Sequence, residues 1–177
     1  RMLIVKKFRY LCGTKPDCKI TIFFCRMQLN LPEHKFKIKE TAHGLVIFDE
    51  LRTRYVALTP EEWVRQNFVA YLITHKGFPA ALMSNEVSMM LNGIKRRCDT
   101  LVCDNHGSTL LIAEYKAPSV AITQQVFDQI VRYNMVLRAR YLIVTNGLQH
   151  YLCTINYEKN TYSFSNDIPA YSEIANK

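Results

Sequence analysis

Arg97-Cys-Asp-Thr-Leu-Val-Cys-Asp104, Asn105-His-Gly-Ser108 and Thr109-Leu-Leu-Ile-Ala-Glu-Tyr-Lys116 follow one another without a break. The outer two segments are apolar and β-branched and are separated by turn residues, the pattern of a β-hairpin. With His106-Gly107 as the central pair of a two-residue turn, Asn105 opposes Ser108. Counting back along both strands then sets Asp99 across from Glu114. Side chains alternate faces along a strand, so Lys116 shares the face of Glu114. Directly opposed residues have Cβ atoms about 4.5–5.5 Å apart. Two carboxylates at that range, with an ammonium alongside, can share one divalent cation.

That trio has a chemical use. Hard oxygen ligands suit Mg²⁺, which takes one or two carboxylates, keeps several waters and binds phosphate oxygens. Such an ion polarises a phosphoryl group and acidifies a bound water. A neighbouring lysine orients or deprotonates that water, or offsets charge on the phosphate. A D…E-x-K pattern also arises by chance as surface charge, because most charged residues are exposed. Here Leu110, Leu111 and Ile112 lead into Ala113-Glu-Tyr115. A carboxylate ending a buried strand is costly unless it is paired or bound to metal.

The region from about Tyr55 to Tyr151 resembles the N-terminal domain of type I restriction enzyme R (HsdR-like) subunits, a branch of the PD-(D/E)XK nuclease superfamily. The matching pieces are Thr59-Pro-Glu-Glu-Trp-Val-Arg-Gln66, Lys95-Arg-Arg-Cys-Asp99, Ala113-Glu-Tyr-Lys-Ala-Pro118, Phe127-Asp-Gln-Ile-Val-Arg-Tyr-Asn134 and Thr145-Asn-Gly147. Their joint order is far more specific than D…E-x-K alone. The resemblance implies that Asp99, Glu114 and Lys116 are catalytic, with Mg²⁺, or Mn²⁺ in its place, held by Asp99, Glu114 and the carbonyl of Tyr115. It also implies a glutamate from the preceding helix, Glu62 in this reading and Glu61 as the alternative. Gln129-Ile-Val-Arg-Tyr133 resembles the Q-x-x-x-Y element of RecB-like nucleases, which positions DNA or the active-site lysine. The chain departs from the pattern at Cys98, where a proline would stand.

Composition is that of a globular protein: 49% hydrophobic and 21% charged over 177 residues, enough for one domain with a real core. The longest apolar runs fall short of the 18 or so residues of a membrane span. Cysteines at 12, 18, 25, 98, 103 and 153 form no C-x-x-C pair. They read as free thiols in a reducing, cytoplasmic compartment. The five histidines show no metal-binding spacing. No Gly-rich phosphate loop occurs, so no helicase motor is expected in this sequence, which reads as a stand-alone form or a fragment.

The formal charge of +8 is unevenly placed. Residues 1–26 hold seven Lys/Arg against Asp17, a net +6, leaving +2 for residues 27–177. The leader reads as a basic tail without a fold of its own, or as sequence outside the native domain. It lacks the apolar core of a signal peptide. Residues 27–177 read as a single domain. Nucleic-acid contact is therefore expected at the local cluster Lys95-Arg96-Arg97, which runs into Asp99 and can hold phosphates in position.

The remaining pattern predicts strands at Phe36–Glu40, Leu45–Phe48 and Thr53–Leu58. Thr59 is a plausible N-cap, with Pro60 at the first helical position and Glu61 and Glu62 complementing the helix dipole. That helix reaches Lys76, with an apolar stripe through Val64, Phe68, Tyr71, Leu72 and His75. A strand over Asn85–Leu91 precedes the hairpin. A helix over Ile122–Arg138 follows, with Val126, Ile130, Tyr133, Met135 and Leu137 as its core stripe. Gln125, Gln129 and Tyr133 lie along one face. Tyr141–Thr145 is expected to run parallel to the Glu114 strand across this crossover, and Gln149–Tyr157 with Thr161–Phe164 to form a last hairpin. The expected fold is α/β: a mixed central sheet flanked by helices, with the αβββαβ core of restriction endonucleases and an extra N-terminal β-hairpin.

The function expected from these readings is Mg²⁺-dependent hydrolysis of DNA, with Gln129, Tyr133, Lys95, Arg96 and Arg97 contacting the nucleic acid. Restriction-system or helicase subunits acting in trans are the expected protein partners, and no membrane is involved. The alternative is a nucleic-acid-binding or assembly module that never cuts.

Overall fold

The computed structural model describes residues 27–91 and 93–175, without the side chains of residues 89, 91, 132 and 133. The expectations for the 1–26 leader lie outside these residues. The order is β1 (Ile38–Thr41), β2 (Gly44–Asp49), β3 (Arg54–Ala57), α1 (Pro60–Lys76), β4 (Met83–Leu91), β5 (Ile94–Cys103), β6 (Thr109–Tyr115), α2 (Gln124–Leu137), β7 (Tyr141–Thr145), β8 (His150–Asn156), β9 (Thr161–Ser165) and α3 (Tyr171–Ile174). β1–β3 form a separate antiparallel sheet, where a hairpin was expected, and β4–β9 form a six-stranded sheet in sequential order. Among the described strands of this sheet, only β6 and β7 pair in parallel, because α2 crosses over between them.

Alternation along the strands splits the core into two layers. Leu111, Ala113 and Tyr115 of β6 join Tyr141 and Ile143 of β7 against Val64, Phe68 and Leu72 of α1. Ile112, Leu142 and Val144 face the other way, against Ile130 and Val126 of α2. The buried faces of both helices follow most of the predicted stripes, but His75 at the end of α1 is exposed, and the Tyr133 side chain lies outside the described residues. Met135 is 73% exposed, since a helix packed on one sheet face buries only one side. A third cluster, Ile47, Leu58 and Trp63, ties the small sheet to α1.

α1 starts as its sequence requires. The Thr59 hydroxyl accepts the Glu62 N–H at 3.1 Å, with Pro60 following. It ends on Gly77, whose φ of 70° is left-handed. Two residues of the motif pieces, Asn134 and Asn146, brace the backbone. Asn134 exchanges two hydrogen bonds with the Ala139 backbone at 3.0 and 2.6 Å, closing the end of α2. Asn146 accepts the N–H groups of Leu148 and Gln149, shaping the β7–β8 turn.

Gly147 in that turn has φ +81°, and a Cβ there would lie 2.6 Å from Leu29 Cδ2 and 3.2 Å from Val64. Its carbonyl also accepts the Asn30 N–H at 2.7 Å. Gly147→Ala is expected to cost about 2–4 kcal/mol, through left-handed strain and overpacking together. Urea unfolding checks this, and a loss under about 0.5 kcal/mol would refute it.

The β5–β6 register is reached differently from the expectation. The turn is not a two-residue turn on His106-Gly107. Asp104 and Ser108 close a three-residue loop, with the Asp104 N–H donated to the Ser108 carbonyl at 2.9 Å and Gly107 at φ +80°. Asp104 Oδ1 caps it by accepting the His106 and Ser108 N–H groups. This turn alone would slip the strands by one residue. Cys103 opposes Thr109 but Val102 opposes Leu111, so a bulge at Leu110 takes up the slip. Beyond it, Thr100 opposes Ala113 and Leu101 opposes Ile112, as predicted.

Candidate active site

Asp99, Glu114 and Lys116 come together where β5 and β6 end their pairing. Asp99 takes no part in a ladder pair. Its Oδ2 instead accepts the Tyr115 N–H at 2.9 Å, and its Oδ1 accepts Arg65 Nη2 at 2.8 Å. Glu114 Oε1 accepts Lys116 Nζ at 2.7 Å and Gln129 Nε2 at 2.6 Å. Gln129 of α2 therefore reaches the site, through Glu114. Lys116 is fixed from below by its own N–H, donated to the Thr145 carbonyl at 2.9 Å.

The electrostatics follow from burial. The Glu114 side chain is 5% exposed. Burial, then the nearby Asp99 carboxylate, push its pKa up to about 7 against the pull of Lys116. Burial pulls the Lys116 ammonium down, but its hydrogen bond to Glu114 and the Glu114, Glu61 and Asp99 charges outweigh this and raise its pKa. Lys116 is thus a cation at neutral pH. Among the described residues, no three His, Cys, Asp or Glu side chains converge as a metal cage. Asp99 is drawn to Arg65 and Glu114 to Lys116. Two adjacent hard-oxygen acids, one of them raised by the other's charge, still fit Mg²⁺, which takes most of its ligands as water.

The two helix glutamates part company. Glu62 is buried, with Oε1 accepting Arg52 Nη2 at 2.5 Å and Gln66 Nε2 at 2.8 Å, and Oε2 engaged by Arg65 Nη1. Glu61 instead lies in the field of the site. Burial, then the Asp99 charge, raise its pKa, while Lys116 and Arg65 oppose the shift. Spacing along a helix cannot separate neighbouring residues in this way. The partner arginines that do so, Arg52 and Arg65, come from a different turn and from α1 itself.

The basic cluster lies exposed at the start of β5, at positions 95–97. Lys95 and Arg96 stand on the β4–β5 hairpin arm opposite Met90 and Met89. Arg97 is 66% exposed, yet its Nε pairs with Glu86. The Tyr133 side chain lies outside the described residues.

The sequence reading missed Arg65 and Glu86. Arg65 Nη2 also donates to Glu86 Oε1 at 2.7 Å, so one guanidinium spans Glu62, Glu86 and Asp99. Glu86 sits at φ +60° inside a strand, between the pairs Asn85–Thr100 and Val87–Cys98. The alternation of β5 breaks at the opposed position. Val102 faces α1, yet Cys98 lies in the α2 layer. The visible signal for Arg65 was its place one turn after Glu62 on the same helix.

The network extends to the small sheet. Asp49 is fully buried, accepts Asn85 Nδ2 at 2.9 Å and pairs with Arg52. Asn85 Oδ1 accepts the Thr100 hydroxyl at 2.6 Å, which accepts the Tyr115 hydroxyl at 3.0 Å. No described helix is long and apolar enough to cross a membrane.

Residues 60–169 match the model of a protein family described as the type I restriction enzyme R protein N terminus. Among solved structures, the chain is similar to the fragment of a proposed HsdR subunit of a type I restriction enzyme from Vibrio vulnificus YJ016. The identity is 16% and the TM-score 0.49, over 67% of this chain and 25% of that one. No curated protein matches.

Proposed function

Since this chain belongs to the type I restriction enzyme R protein N-terminal family, we propose that it is a Mg²⁺-dependent deoxyribonuclease hydrolysing phosphodiester bonds. The observation that supports this most is the convergence of Asp99, Glu114, Lys116 and Gln129 at one strand end. The residues proposed to hold the ion are Asp99, Glu114, the Tyr115 carbonyl and, from α1, Glu61. Mn²⁺ is expected to serve in place of Mg²⁺. Glu62, with both oxygens engaged by arginines, takes a positioning role in this reading. When bound, the ion polarises the phosphoryl group and acidifies a water.

The chain's own residues account for the rest. Lys116 remains protonated, so it orients the attacking water and offsets the charge growing on the phosphate rather than taking the proton. Gln129 holds the Glu114 carboxylate in place against rotation. Lys95 and Arg96 hold backbone phosphates, with Tyr133 on α2 nearby in sequence to Gln129. DNA is the proposed substrate, with restriction-system or helicase subunits acting in trans. The free thiols of Cys98, Cys103 and Cys153 suit a reducing compartment, and we place the protein in the cytoplasm.

Incubation with supercoiled, linear and single-stranded DNA in Mg²⁺, Mn²⁺ or EDTA tests the reading. Cutting is expected only with metal, and Lys116→Ala is expected to slow it roughly 10²–10³-fold, the usual loss for one charge-stabilising donor. A folded protein that binds DNA equally with and without Mg²⁺ and never cuts would instead be an assembly module.

A further inference from the structure

Arg65 is paired with three carboxylates at once. It is 4% exposed. Its Nη1 serves Glu62, and its Nη2 is shared between Glu86 and Asp99 at 2.7 and 2.8 Å. Its Nε is buried with no hydrogen-bond partner. Buried donors are rarely left unmatched. Here the terminal nitrogens of the fork engage three carboxylates while Nε is left unmatched. Glu86 meets it from a strand position with left-handed φ, a conformation seldom adopted by a non-glycine residue. Such strain persists only where the surroundings impose it.

We propose that Arg65 is a positioning residue that aims Asp99, and that Glu86 is the counter-charge that lets it do so without neutralising Asp99. The proposal rests on the metal-nuclease reading above. A guanidinium hydrogen-bonded to Asp99 Oδ1 fixes the carboxylate but opposes any cation arriving there. Glu62 divides its two oxygens between Arg65 and Arg52, while Arg52 also pairs with buried Asp49. Glu86 Oε1 accepts from the same Nη2 atom that serves Asp99, and sets a second carboxylate charge against that end of the guanidinium. Its other oxygen takes Arg97, so the first basic residue beside the site is partly committed inward.

Charge and geometry can be separated by experiment. Mn²⁺ binding to the full chain is measured by calorimetry, beside cleavage rate as a function of Mn²⁺, for wild type, Glu86→Gln, Arg65→Gln, Arg65→Lys and Asp99→Asn. Glu86→Gln is expected to weaken Mn²⁺ binding about tenfold, with kcat at saturating Mn²⁺ within about threefold of wild type. Arg65→Gln is expected to bind Mn²⁺ several-fold more tightly and yet to cut about 100-fold more slowly at saturation, because Asp99 is no longer aimed. Arg65→Lys keeps the charge and is expected to retain wild-type affinity with an intermediate kcat. A merely structural role would weaken binding and rate together in every variant, and that result would overturn the proposal. Unchanged affinity in folded Glu86→Gln would overturn it even if Arg65→Gln fails to fold. A wild type that binds no more Mn²⁺ than Asp99→Asn would overturn the metal-nuclease reading itself.

Discussion

Asp99→Asn is expected to lower metal-dependent cleavage by roughly 10³-fold or more while leaving the protein folded. Both effects follow from the two bonds Asp99 makes. Its Oδ2 replaces a ladder carbonyl for the Tyr115 N–H, and its Oδ1 faces Arg65. Asparagine keeps one carbonyl oxygen for Tyr115 but carries no charge, so the proposed cation would lose a carboxylate ligand and bind more weakly. Stability is expected to drop by about 1–2 kcal/mol, because Arg65 retains Glu62 and Glu86. Asp99→Ala should cost more, near 3 kcal/mol, since it also orphans the Tyr115 N–H. The measurements are initial rates at saturating Mg²⁺ and thermal unfolding of both variants. An Asn variant that cuts within tenfold of wild type would remove Asp99 from the mechanism.

Glu114→Gln is expected to abolish cleavage and yet stabilise the metal-free protein above neutral pH. Glu114 titrates near 7 when folded, against 4.5 for an ordinary glutamate. Between those values the native state binds more protons than the unfolded chain, so stability falls as pH rises. The contribution is fully present below about pH 4.5 and is lost as pH climbs through 7. In EDTA, the wild-type Tm should therefore decline between pH 5 and 8, and the Gln variant should show a flatter profile. Above pH 7 the variant should gain roughly 3 kcal/mol at most, as the neutral amide still accepts from Gln129 or Lys116. Mg²⁺ should restore the wild-type Tm at pH 8, because a ligand of the native state adds stability by mass action, and should leave the variant unmoved. A wild-type Tm independent of pH and of Mg²⁺ would contradict this account.

Much of the architecture was legible before any coordinate. Thr59-Pro60 and Gly77 delimit α1, and the alternation of Leu111 to Tyr115 assigns opposite faces of β6 to opposite helices. These are local rules, written in neighbouring residues. The N-terminal sheet was read as a hairpin with a further strand, and the structure joins all three strands into one. The short helix Tyr171–Ile174 went unseen because four residues carry no period. Met135 was counted as core because a stripe read too generously runs past the sheet edge.

The proximity of Asp99, Glu114 and Lys116 also lay in the chain, because they sit on two strands joined by a short turn. Their register did not follow from the turn that was assumed. A three-residue loop and a one-residue bulge at Leu110 cancel, and either alone would turn Asp99 away from Glu114. The sequence by itself determined the order of the main strands and helices and the limits of α1, since each depends on residues within a few positions. Only the tertiary structure decided which helix glutamate is taken up by arginines, that Gln129 binds Glu114, and that Arg65 and Glu86 frame Asp99. Those contacts join residues 10 to 34 positions apart in separate parts of the fold. Their energies depend on burial and on how charges share partners, and neither quantity exists until the layers close.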